Sequence, residues 1–218
     1  MMIYRCDPKR LRLYFLFLAA PDNERLIDMR TISTFAVILI ATCLVPSLEA
    51  KDVIKDKSPD GKFALRIHKG EEGWEAAIIN LRTKEALADL DVYGNYVENM
   101  RLLWAKNSNR VAHFEPDRRG GTTYIYFRNG SKFEEVEFPS AELPECHKNI
   151  TGEEEKKYVK TTEFTESPKA WLKSGALVVG IDQSWLTEDG SEDSCSQTVT
   201  IVFDANHKAS VQSAKQSN

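Results

Sequence analysis

The chain of 218 residues has only four cysteines, and beyond residue 50 only Cys146 and Cys195 remain. Neither belongs to a Cys-x-x-Cys pair or a Cys/His cluster, so a structural zinc site is excluded. A glycine-rich phosphate loop, a nucleophile elbow and a His-Glu-x-x-His helix are also missing. Their absence removes the motif-based nucleotide-binding, hydrolase and metalloprotease readings and implies no cofactor. No apolar run reaches the roughly 20 residues that a membrane-spanning helix needs. A basic excess is lacking too. Of 29 basic and 33 acidic side chains, residues 1–50 hold 6 and 5, which leaves 23 against 28 and a net charge of −5 on the remainder. Such a surface repels phosphate backbones, so no nucleic-acid partner is expected.

What the N-terminus does contain is an export pattern. Met29-Arg30 is a short basic start, Phe35 to Val45 is apolar apart from Thr42, and Pro46-Ser47 breaks the run before Leu48-Glu49-Ala50. A basic region, an apolar core and a small residue at the cleavage point, in that order, describe a signal peptide over 29–50. Leu13 to Ala20 forms a second apolar stretch, separated from the first by a charged segment. Because tandem signals serve no purpose, residues 1–28 read as an over-extended N-terminus, with translation expected to start at Met29. Thr42-Cys43 fits a lipoprotein signal poorly, so Cys43 reads as an ordinary residue of the apolar core. The expected product is extracytoplasmic, periplasmic or secreted, with no membrane span after cleavage. In an oxidising compartment Cys146 and Cys195 are expected to form a disulfide, closing a loop of about 50 residues and adding about 2–4 kcal/mol.

The remaining 168 or so residues are long enough for one domain with a real core, placed at 51–213 with a disordered tail at 214–218. Internal repetition organises it. The first repeat has the turn Ser58-Pro59-Asp60-Gly61-Lys62, then strands over 63–68, 74–80 and 85–91. The second has Asn107-Ser108-Asn109, then strands over 110–115, 122–127 and 132–138, the last two joined at Asn129-Gly130, the strongest hairpin signal in a sequence. The third has Lys173-Ser174-Gly175, a strand over 176–181, a long polar loop, and a hairpin of 197–203 with 208–213. Trp104 and Trp171 hold the same place just before the turn and read as core anchors. Between the second and third repeats, residues 150–157 read as a short solvated helix and 158–166 as an alternating strand.

The Ser58-Pro59-Asp60-Gly61-Lys62-Phe63-Ala64 segment resembles the blade motif of the TolB-type and WD40-like β-propellers. Asn107-Ser108-Asn109-Arg110 and Lys173-Ser174-Gly175-Ala176 stand in its place in the other repeats. The resemblance implies sheet-forming blades that commonly present protein-interaction surfaces. Three blades are too few to close a ring, since propellers typically use four to eight. The expected fold is therefore all-β, an antiparallel meander of three blade-like repeats. An open sheet or partial propeller or sandwich is favoured over a ring completed by another copy.

Candidate chemistry is sparse. His113 and Glu115, two apart on a strand, share one face and form an acid/base or metal-ligand pair in outline. The acidic loop Glu188 to Asp193 lacks the ligand spacing of an EF-hand and reads as solvated. No catalytic or metal residue is assigned, and the binding site is unknown from sequence. The expected function is an exported, non-catalytic interaction or binding module with a protein partner. The alternative is a small periplasmic enzyme or metal- or ligand-binding protein using His113 and Glu115.

Overall fold

The structure, a computed structural model, describes residues 52–140, 143 and 158–217. The expected N-terminal extension, the signal segment with Cys43, the helix at 150–157 and Cys146 lie outside the described residues. Every described residue belongs to one compact part, Ala50–Asn218.

Among the described residues all regular structure is β, apart from one 3-10 turn at Val97–Asn99. The first repeat comprises β1 (Val53–Lys55), β2 (Phe63–Lys69), β3 (Trp74–Asn80) and β4 (Ala86–Leu90). The second comprises β5 (Arg101–Trp104), β6 (Arg110–Asp117), β7 (Gly120–Asn129) and β8 (Lys132–Val136). The third comprises β9 (Tyr158–Trp171), β10 (Leu177–Thr187), β11 (Glu192–Phe203) and β12 (Ala209–Ser217). Each repeat is a four-stranded antiparallel meander that begins one strand before the turn by which it was recognised. The first is a sheet of its own, β1-β2-β3-β4. The other two merge into an eight-stranded sheet in the order β12-β11-β10-β9-β7-β6-β5, with β8 also on β7. Both sheets are open.

One local geometry recurs at each repeat's turn. The Ser58, Ala105 and Leu172 N–H groups donate to the carbonyls of Phe63, Arg110 and Ala176, and the same three residues accept from Gly61, Ser108 and Gly175. The fourth residue is left-handed each time, with φ of 71° at Gly61, 59° at Ser108 and 88° at Gly175. Only glycine adopts that conformation without steric cost, so two of the three turns use it. Inside the first turn, Ser58 Oγ donates to Asp60 Oδ1 and accepts from the Phe63 N–H. Asp60 Oδ1 in turn accepts from the Lys62 N–H. The Ser-Pro-Asp-Gly-Lys string is thus a self-satisfied turn.

Two apolar layers separate the three repeats. Phe63, Leu65, Ile67 and Ile78 of the first meet Leu102, Val111, Tyr126 and Phe133 of the second. Ala112, Ile125 and Phe127 of the second meet Leu177, Val179, Ile181, Val199 and Ile201 of the third. Neighbours such as Val111 and Ala112, or Tyr126 and Phe127, therefore point into different layers, and the second repeat is buried on both faces. The outward face of the third repeat carries Asp182, Ser196, Thr198 and Thr200, which are exposed or half-buried. A polar outer face suits a repeat whose far side meets water.

The tryptophans fasten the stack. Trp104 Nε1 donates to the Asp56 carbonyl at 2.7 Å, and Trp171 Nε1 donates to the Leu103 carbonyl at 2.9 Å. Asp56 and Leu103 occupy the same repeat position, two residues before Ser58 and Ala105. Each indole therefore reaches back to the equivalent carbonyl of the preceding repeat. Trp104 also stacks on Phe63 and meets Phe133 edge-on. Trp104→Phe or Trp171→Phe keeps most of the packing and loses the bond. Each is expected to lower stability by about 1 kcal/mol, read as a reduced urea midpoint with an unchanged m-value.

Three expectations need correction. The long polar loop expected between Ile181 and Gln197 is mostly strand, with a tight turn at its acidic centre. β10 runs to Thr187 and β11 starts at Glu192. Asp189 Oδ1 serves that turn by accepting from Thr187 Oγ1 and the Ser191 N–H. The tail expected at 214–218 is strand as far as Ser217, because the longer β11 supplies partners down to Ser196. The strand expected at 158–166 continues to Trp171 as the first strand of the third repeat. It meets β7 in the sheet's only parallel pairing among the described residues, Gly120 with Phe164 and Gly121 with Thr165. A Cβ at Gly120 would run into the Phe164 carbonyl oxygen, so the junction requires glycine there.

Candidate functional site

His113 and Glu115 do share a face of β6, as their spacing predicts, but that face is packed against the first repeat. His113 is fully buried and stacks on Tyr124 at 6.0 Å between ring centroids. Neither ring nitrogen has a hydrogen-bond partner. Burial lowers its pKa to about 4, so the ring is neutral at pH 7. Glu115 is also buried; burial raises its pKa, and Asp91 and Asp117 push the same way. Hydrogen bonds from Tyr124 and the Tyr93 N–H oppose that rise. The Tyr124 hydroxyl is pushed up to about 12 by burial and by Glu115. Glu135, which is exposed, is raised by partial desolvation and by Asp91, opposed by a hydrogen bond from Tyr126. Among the described residues no set of three or more His, Cys, Asp or Glu is arranged to hold a metal. His113 and Glu115 belong to an acid–tyrosine layer between repeats, and neither lines the trough along β8, the cleft beside Glu166 or the notch at Arg110 described below. Cys195 lies on β11 against Trp185.

One cavity, of about 830 Å³, is an open trough along β8. Its carboxylates, Glu134, Glu135 and Glu137, are solvent-exposed. A smaller cleft of about 430 Å³ has a different character, because a buried carboxyl forms part of its wall. Its origin lies in the β7–β9 junction. After Thr165, β9 leaves β7 and runs toward β5, where Trp171 is tied to Leu103. Thr123 bridges the widening gap by donating from Oγ1 to the Glu166 carbonyl at 2.6 Å. Along β9 the two-residue period puts Phe164 and Glu166 on one face. Ile181 pairs with both Glu166 and Gln197, and Gln183 pairs with Phe164, so all five side chains share that face.

Glu166 is 4% exposed. Burial raises its pKa to about 7, opposed by a hydrogen bond from the Thr123 backbone. Close to neutrality it is therefore both an acid that can donate and a carboxylate that can accept. Thr122, Gln183 and Gln197 add uncharged polar groups, while Phe164, Ile181 and Leu143 add apolar surface. Few polar groups converging in a partly apolar concavity, with a strongly shifted carboxyl among them, are the features of a ligand site. Sequence reasoning missed Glu166. The one available signal is an acid placed two residues from Phe164 in an alternating strand, and alternation alone does not say which face is covered.

No family model matches the chain, and no curated protein does. Among solved structures, the chain is similar to TolB from Acinetobacter baumannii. They are 10% identical with a TM-score of 0.30, over 73% of this chain and 40% of that one. The chain thus spans well under half the length of the protein it matches.

Proposed function

We propose that the chain is an exported binding module built from TolB-type, WD40-like blades, and that its ligand enters the cleft beside Glu166. The observation that carries this reading is the nearly buried Glu166 carboxyl in the wall of a 430 Å³ cleft, its pKa raised to about 7. Two glutamines and a threonine around it suit an uncharged ligand rich in amide or hydroxyl groups. An anionic ligand would have to give up its hydration beside a carboxyl that offers no positive charge in return. Export is supported by the order of basic, apolar and small residues over 29–50. A Cys146–Cys195 bridge belongs to the same reading and is supported by the buried position of Cys195 on β11.

The test is a thermal-shift screen of the full chain at pH 7 with neutral saccharides and N-acetylated dipeptide amides. At least one probe is expected to raise the melting temperature, by an amount equivalent to about 2.7 kcal/mol at a hundredfold excess over its Kd. The same probe is expected to leave Glu166→Leu unshifted. No response from any probe, or an equal response from the variant, overturns the reading.

A further inference from the structure

A separate notch of about 360 Å³ opens at the turn end of the second and third repeats, with Arg110, Arg128 and His207 on its walls. From this geometry we infer that the notch binds an oxyanion, a phosphate or carboxylate group carried by a small ligand. Four observations converge on it.

First, the arginines are not neutralised. Among the described residues the ion pairs are Lys62–Asp60 and His68–Asp52. Glu134, on the hairpin that carries Arg128, and Asp204, in the turn that carries His207, are engaged within those elements. Both carboxylate oxygens of Glu134 accept from Asn129 Nδ2, and Asp204 Oδ1 accepts from the Asn206 and Lys208 N–H groups. Two guanidinium groups without an ion-pair partner among the described residues stand out on a domain whose net charge is negative.

Second, both guanidinium groups are held in place. Arg110 lies over the Phe127 ring at 4.6 Å and donates from Nη1 to the Gly175 carbonyl at 2.8 Å. A Cβ at Gly175 would collide with that nitrogen, so the turn is shaped around the arginine. Arg128 lies over Phe63 at 5.1 Å and donates from Nε to the Gly130 carbonyl. Each keeps further N–H donors for a ligand, with much of the ordering entropy already spent.

Third, His207 is strained. The turns Leu172–Ala176, Thr187–Ser191 and Asp204–Lys208 share one hydrogen-bond pattern. Their fourth residues are Gly175 at φ 88°, Gly190 at φ 81° and His207 at φ 65°. A histidine where the sister turns use glycine costs stability, and such an outlier points to a role. Its ring packs edge-on against Phe127, beside Arg110. Fourth, the Asn109 N–H donates to Asn107 Oδ1, which leaves the Asn107 amide nitrogen as a further donor in the notch wall. The planar, forked donors of Arg110 and Arg128 match an oxyanion's lone pairs.

The test follows the melting temperature of the full chain as potassium phosphate replaces potassium chloride at constant ionic strength. A parallel arm uses potassium acetate. Saturable stabilisation beyond that in chloride is expected. Preference for phosphate assigns the notch to phosphoryl groups, and equal saturation by acetate assigns it to carboxylates. Arg110→Lys keeps the charge and loses the fork, and is expected to weaken binding about tenfold. His207→Gly is expected to raise the melting temperature without ligand while weakening phosphate several-fold, two opposed changes that a purely structural residue does not produce. Equal melting in phosphate, acetate and chloride overturns the inference. So does an unchanged phosphate affinity in His207→Gly.

Discussion

Glu166→Gln is expected to stabilise the protein by about 3 kcal/mol at pH 8 and to change little at pH 4. The carboxyl has a pKa near 7 in the folded chain against an ordinary value of 4.5. Between those values the folded state holds a proton that the unfolded state has lost. Stability from this group is therefore fully present below pH 4.5 and is lost as pH rises through 7. A shift of this size corresponds to about 3 kcal/mol, at 1.36 kcal/mol for each pKa unit. Glutamine keeps the shape and removes the charge. Urea denaturation across pH 4–8 checks the result; a variant no more stable than the parent at pH 8 would contradict the burial argument.

His113→Phe acts with the opposite sign. The ring titrates near 4 when folded against 6.5 when free. Between these values the unfolded state holds the extra proton, so the parent loses stability as pH falls below 6.5, by about 3 kcal/mol at pH 4. Phenylalanine removes that loss. It also removes two buried nitrogens that have no partner, worth about 1–3 kcal/mol at pH 7. The two residues offset each other between pH 4.5 and 6.5. Glu115 and Glu135, also raised, add to the sign of Glu166. The parent should thus show a shallow profile in that window. His113→Phe should become less stable as pH rises, and Glu166→Gln should become more stable. Parallel profiles in the two variants would refute both assignments.

These two residues also show how far sequence reasoning reaches. Turns were legible because their chemistry is local. Ser58 to Lys62 and Asn129-Gly130 satisfy their own hydrogen bonds or supply their own left-handed residue. The repeat was legible because three turns share one grammar, and it placed Trp104 and Trp171 correctly. It did not show that their indoles reach back to the preceding repeat, since the acceptors are main-chain carbonyls 48 and 68 residues away. The shared face of His113 and Glu115 followed from a period of two. Whether that face meets water or another sheet depends on stacking, and the second repeat is covered on both sides. Glu166 was hidden for a related reason. Its burial depends on where β9 leaves β7, and that is decided by Gly120 lacking a side chain.

The indole bonds have a direction. In each case the donor comes later in the chain than its acceptor, and the first repeat has Lys57 at the tryptophan position and so carries no such hook. A chain that emerges N-terminus first, from a ribosome or across a membrane, therefore always presents the acceptor before the hook. Assembly can proceed in order of arrival, with each new repeat closing onto one already made.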